Sequence, residues 1–124
     1  HKFPGELSGG MQKRAAFARA VVTTPPITLL DEPTAGLDPT TTEHITEQLI
    51  AAKKSLGGTT LAITYNLQSA FRIADSIALL HEGRIVAHEP PEAFKLNPHP
   101  AIVAFLRDWT QRESLRRRGE HTAV

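Results

Sequence analysis

Cysteine is missing altogether from these 124 residues, which excludes disulfides and thiolate metal sites and fits a reducing compartment. Neither sign of charge prevails: 14 Lys and Arg against 13 Asp and Glu leave a formal charge of +1. Such a balance gives no general field for drawing in nucleic acid or anionic lipid, so any anion site must be local. No apolar run approaches the roughly 20 residues of a membrane span, and no charged-then-apolar leader opens the chain. Aromatics are sparse, with one tyrosine and one tryptophan, and the six histidines are scattered without the i, i+4 pairing of a helical metal site. They read as mostly solvated.

What is present suits one globular domain. Hydrophobic residues make up 40% and charged residues 22%, and a chain of this size buries roughly two thirds of its unfolded surface. A cytosolic location follows as an expectation. The chain starts at His1 rather than methionine and enters at once into a dense motif region with no strand before it, as the later part of something longer would.

Ser8 is a good helix N-cap, and the alanine-rich stretch Met11 to Val22 predicts a helix that begins at Gly9-Gly10 and stops at Pro25-Pro26. Ile27 to Leu30 is a short apolar run ending in Asp31-Glu32, the pattern of a buried parallel strand. Asp38-Pro39 supplies an N-cap with proline at the first helical position. Ile45, Leu49, Ala52 and Leu56 then recur at helical spacing up to Gly57-Gly58. Thr60 to Thr64 predicts a second buried strand and Leu67 to Ala74 a short helix, while Ser76–Leu80 and Arg84–His88 predict a hairpin around Glu82-Gly83. Ile102, Phe105, Leu106 and Trp109 form one more helical stripe, which faces a core more often than a partner; beyond it Arg116-Arg117-Arg118-Gly119 suggests a frayed tail. Strand and helix alternate, so the fold class is α/β with a parallel sheet. Ligands gather at the carboxyl ends of such strands, where Asp31, Glu32 and Tyr65 fall.

Two segments carry chemistry. In "LSGGMQKR", Leu7 to Arg14, a serine cap and two glycines at a helix start leave backbone N–H groups open toward an anion, although Ser-Gly-Gly also serves as an ordinary helix entry. In "ITLLDEPTAGLD", Ile27 to Asp38, a strand-end carboxylate can hold Mg²⁺ through water and the next acid can orient or deprotonate an attacking water. Two exposed acids capping a strand are also common. They do not account for Pro33 to Asp38.

Together, in this order and spacing, the segments resemble the ABC ATPase family from about Phe3 to Phe94. Leu7 to Gln12 is similar to its signature motif, Ile27 to Asp31 with Glu32 to its Walker B strand, and Thr34 to Asp38 to its D-loop. The resemblance implies the α/β fold of a P-loop NTPase, incomplete at its N-terminal side, over 1–97, followed by a helical extension over 98–118 and a flexible tail over 119–124. It further implies that Ser8, Gly9, Gly10 and Gln12 bind ATP held by the opposite subunit of a head-to-tail pair, that Asp31 holds Mg²⁺ through water, that Glu32 acts on the lytic water and that Asp38 communicates across the dimer. The partners it implies are a second ATPase subunit and an integral membrane permease, without nucleic acid, on the cytoplasmic face of the membrane.

Pro4-Gly5-Glu6, Met11 and Ile85 to His88 resemble the ATPase subunits of Mla-type lipid transporters, although polar amino acid importers carry similar signatures. A soluble ABC ATPase of DNA repair or translation and a non-enzymatic remnant are the other readings.

Two departures stand beside these matches. No G-x-x-x-x-G-K-[ST] phosphate loop occurs, and Lys53-Lys54 precede Gly57-Gly58 in the wrong order. The chain alone is therefore expected to show no ATP turnover and weak nucleotide binding. Where the family usually has histidine then aspartate, this chain has Tyr65-Asn66. Tyrosine keeps a hydroxyl donor but carries no positive charge at neutral pH, so Tyr65 either serves that position or packs at the strand end.

Overall fold

The computed structural model describes residues 3–120, with the side chains of Pro4, Leu56 and 116–120 also outside the description. His1, His121 and residues 121–124 of the expected tail lie outside the described residues. The chain divides into two units, His1–Ile73 and Ala74–Val124.

The first unit runs from a 3-10 turn at Pro4–Glu6 through α1 (Gly9–Val21), β1 (Ile27–Asp31), α2 (Pro39–Leu56), β2 (Thr59–Ile63) and α3 (Leu67–Ile73). Local chemistry fixes these bounds. Ser8 and Asp38, both in extended conformation, cap α1 and α2 with side-chain oxygens, and Pro39 takes the first turn of α2, where its missing N–H is no loss. Gly57 and Gly58 end α2 at φ +67° and +77°. At Gly58 a Cβ would also come within 3.0 Å of the Pro26 carbonyl, whose oxygen accepts from Thr59 N. Asn66 caps α3 by accepting from Ser69 N at 3.1 Å.

Ile45 and Leu49, two of the four residues read as the inner stripe of α2, are buried, together with Leu67 of α3. Thr46 and Ser69 are buried beside them with hydroxyl oxygens 3.0 Å apart. The Thr46 hydroxyl donates to Thr42 O, so its single hydrogen is used and Ser69 must donate to Thr46. An Arg72–Glu43 ion pair and a bond of 2.9 Å from Lys53 Nζ to Ile73 O tie the same two helices at their rim.

β1 and β2 pair in parallel, as the alternation of elements predicts, with Ile27 opposite Thr59, Leu29 opposite Leu61 and Asp31 opposite Ile63. The expectation that both are buried is not met. Ile27, Leu29, Leu61 and Ile63 are 62%, 71%, 59% and 63% exposed. Register partners in a parallel sheet share a face, so these four side chains form one open apolar face. A parallel strand is buried only when layers cover both of its faces. Among the described residues of this unit no layer covers that one.

The second unit holds β3 (Ile77–His81), β4 (Arg84–Glu89), α4 (Pro91–Leu96) and α5 (Pro100–Glu120). Glu82 and Gly83 turn the hairpin at φ +49° and +75°, the two positive values a type I′ turn requires. A bulge between Leu79 and Leu80 shifts the register, so that Leu79 faces Ala87 while Leu80 faces Ile85. Glu89 ends β4 and accepts from Asn97 Nδ2 at 2.7 Å.

Phe94 and Ile102 are fully buried, whereas Phe105, Leu106 and Trp109 of the same stripe are only partly covered. The expected fraying at Arg116 is a second correction: the helical backbone of α5 continues to Glu120. Arginine is a strong helix former, so composition alone gives α5 no reason to stop there.

Candidate functional site

The serine at the start of α1 uses its side chain locally. Ser8 Oγ accepts from Met11 N at 3.3 Å, and Gln12 turns its amide back to donate from Nε2 to Leu7 O at 3.1 Å. The N–H groups of Gly9 and Gly10 belong to the first helical turn, where no intrahelical acceptor exists. They are the polar groups the α1 N-terminus can offer to an anion.

Both glycines face the segment after β1, and Gly10 permits its close approach. A Cβ at Gly9 would lie 3.6 Å from Leu37 Cδ2, and one at Gly10 would lie 2.6 Å from Thr41 Cγ2. Thr41 is itself fixed, because its N–H and hydroxyl both donate to the Asp38 carboxylate. Those two bonds, the hydroxyl's first, hold the Asp38 carboxyl below its ordinary pKa of 3.8. Asp38, which the resemblance makes a residue of communication between subunits, is in this chain the cap of α2.

At the carboxyl ends of β1 and β2 the chain places Asp31, Glu32, Thr64 and Tyr65 together. Glu32 N donates to Ile63 O at 2.8 Å, extending the strand pairing by one bond. Its carboxylate is held by two donors: Tyr65 N reaches Oε1 at 3.1 Å and Thr64 Oγ1 reaches Oε2 at 3.2 Å. Thr64 Oγ1 in turn accepts from Asn66 N at 3.0 Å, which fixes the direction of its hydroxyl.

Glu32 holds this position in a left-handed backbone conformation, φ +44°. For a residue with a Cβ that costs about 1–3 kcal/mol, and it persists only where surrounding contacts enforce it. Here they converge on the Glu32 carbonyl. Its oxygen accepts from Ala35 N at 3.2 Å across the Pro33-Thr34 turn, and from Lys13 Nζ of α1 at 2.8 Å.

The structure thus brings Glu32 and Tyr65 into direct contact through the Tyr65 main chain. Tyr65 is 58% exposed, so it is not packed into a core of the described residues. Asp31 is exposed at the strand end, and its oxygens suit a hard cation bound through water. Ser8, Gly9, Gly10 and Gln12 stay together on the first turn of α1. Lys13, the next residue along α1, bonds to Glu32 O. Reading the sequence missed Lys13 and Thr64. The signal for Lys13 was its spacing of four from Gly9, which puts both on one face of α1, the face that meets residues 32–37.

The sequence and the fold have known relatives. The family model described as "ABC transporter" matches residues 1–35. The chain is 38% identical over 105 residues to the probable ribonucleotide transport ATP-binding protein mkl of Mycobacterium tuberculosis, spanning 85% of this chain and 29% of that protein. It is 37% identical over 124 residues to the sulfate/thiosulfate import ATP-binding protein CysA 2 of Chromobacterium violaceum, spanning 99% of this chain and 34% of the relative. The chain therefore spans about a third of the length of these curated relatives.

Among solved structures, a nucleotide-free ATP-binding cassette from an ABC transporter aligns at TM-score 0.72 and 30% identity, over 82% of this chain and 41% of that one. A dimeric cassette in a post-hydrolysis state, bound to ADP and Pi, aligns at TM-score 0.62 and 36% identity, over 71% and 38%. With the turn at Ser8–Gly10, the paired strand ends and the capped segment Thr34–Asp38 in the positions described, this chain is similar in sequence to ABC transporter ATP-binding proteins and shares the fold of their ATP-binding cassettes.

Proposed function

We propose that these residues form the signature-bearing part of an ATP-hydrolysing site in a transporter ATPase, completed by nucleotide held on a second subunit. The observation that carries this reading is the fixed carboxylate of Glu32 at the ends of two parallel strands, between the N–H of Tyr65 and the hydroxyl of Thr64. A carboxylate held by two donors from the loop just after β2 keeps its remaining lone pairs for a water and can orient it or take its proton. The amides of Gly9 and Gly10, with the α1 dipole behind them, suit the γ-phosphate. Mg²⁺ would be held through water by Asp31 and would supply charge neutralisation at the phosphates.

The phosphate loop that the reaction needs has to come from outside these 124 residues, since no such pattern occurs within them. In this reading residues 1–97 are part of the nucleotide-binding domain and 98–118 a helical extension, and the assembly drives a permease from the cytoplasmic side. Lipid is the cargo we favour, on the likeness of Pro4-Gly5-Glu6, Met11 and Ile85 to His88 to Mla-type ATPases.

Glu32→Gln in the complete ATPase tests the site. Hydrolysis should fall by about 10²- to 10⁴-fold while ATP-dependent dimerisation is retained. Unchanged turnover would remove Glu32 from the reaction. Phospholipid transfer by the ATPase reconstituted with its permease decides the cargo, and ATP-driven movement of a soluble anion in its place would overturn the lipid reading.

A further inference from the structure

We infer that Lys13 is a positioning residue for Glu32, joining the signature helix to the hydrolytic carboxylate; the role in turnover rests on the function proposed above, the positioning itself does not. Lys13 lies one helical turn beyond Gly9 on the same face of α1, and its half-buried ammonium donates to Glu32 O at 2.8 Å. That carbonyl is the hinge of the site. It belongs to a residue held at φ +44°, and the only other donor to it given by the hydrogen bonds described is Ala35 N at 3.2 Å. A charge-assisted bond is roughly twice as strong as a neutral one, so the ammonium is the larger of the two restraints.

Removing that restraint lets the carbonyl swing and Glu32 return to ordinary φ. The side chain leaves with it, because φ and the Cα–Cβ direction turn together. The carboxylate then loses Tyr65 N and Thr64 Oγ1, which are fixed by β2 and the α3 cap rather than by Glu32. Through Lys13, the placement of the carboxylate depends on where α1 sits. The same helix offers Gly9 and Gly10 to an anion, so a displacement of α1 on binding phosphate reaches Glu32 by one bond.

Amide hydrogen exchange on this chain tests the positioning without nucleotide. In Lys13→Met the Tyr65 N–H, which donates to Glu32, should exchange about tenfold faster, while Leu49 in the middle of α2 keeps its rate. Lys13→Arg, which retains a charged donor, should restore most of the protection. Lys13→Gln carries the same readout if the methionine variant does not fold. An unchanged Tyr65 rate, or acceleration shared equally by Leu49, overturns the inference.

In the complete ATPase, Lys13→Met should lower kcat about 10- to 100-fold with KM for ATP little altered, and Lys13→Arg should recover it. A rise in KM at constant kcat would count against positioning. If the unaltered ATPase shows no turnover, the functional proposal fails, and the exchange rates still decide the role of Lys13.

Discussion

The backbone N–H of Tyr65 donates to Oε1 of Glu32 at 3.1 Å, so the contact between the two residues is made by main chain on one side and carboxylate on the other. A substitution at position 65 other than proline therefore leaves that bond in place. On the function proposed above, Tyr65→His in the complete protein keeps Glu32 where it is and adds an imidazole at the exposed strand end. Hydrolysis is expected to rise, by as much as about 10²- to 10⁴-fold where general acid-base or charge assistance was lacking. Single-turnover rates check this, and an unchanged chemical step would leave the Tyr65 ring without a part in the reaction.

Thr46→Val should destabilise the first unit by about 1–3 kcal/mol, because it keeps the volume but leaves the buried Ser69 hydroxyl without the oxygen it donates to. Adding Ser69→Ala removes the orphan. Urea unfolding of the single and double variants measures the difference, and strict additivity would show that the hydroxyl pair contributes nothing.

Gly10→Ala sets two effects against each other. Alanine is the better helix former by up to about 1 kcal/mol, but its Cβ would stand 2.6 Å from Thr41 Cγ2, and overpacking costs about 1–3 kcal/mol. The clash should win, since the Thr41 hydroxyl is tied to Asp38 and cannot turn away freely. Thr41→Ser, which deletes the offending methyl and keeps the hydroxyl, should make Gly10→Ala neutral or stabilising. Thermal unfolding of the four proteins in the cycle tests this.

Acid should act through Asp38. Its carboxyl is held below the ordinary value of 3.8 by the Thr41 hydroxyl and N–H. A lowered pKa in the folded chain means that the ionised cap stabilises above the unfolded value and that its contribution is lost as pH falls from 3.8 through the lower folded value. Asp38→Asn, which still caps but cannot ionise, should flatten the acid limb of the stability profile in that window and leave the neutral limb nearly unchanged. Equal acid limbs would mean that the Asp38 charge has no partner in solution.

Much of the local structure was legible because single residues dictate it. Asp38-Pro39 starts α2, Gly57-Gly58 ends it and Glu82-Gly83 turns the hairpin, each through a backbone preference that acts within a few residues. The spacing of Ile45 and Leu49 likewise marked the inner face of α2. The Glu32 conformation was not legible, since it is enforced by Lys13 and Ala35, one of them 19 positions away in sequence. Asn66 looked like a departure at a reactive position. Its side chain caps α3, a role that aspartate and asparagine share. The burial of β1 and β2 was misjudged because an apolar run records what a strand needs, not what covers it.

The apolar face of Ile27, Leu29, Leu61 and Ile63 is the surface on which a further layer of an α/β fold would pack. Covering it would remove four large aliphatic side chains from water, each contributing about 1.5–3 kcal/mol. Polar substitutions at Leu29 or Leu61, which leave the contacts of Glu32 untouched, should therefore weaken the docking of any layer that covers this face.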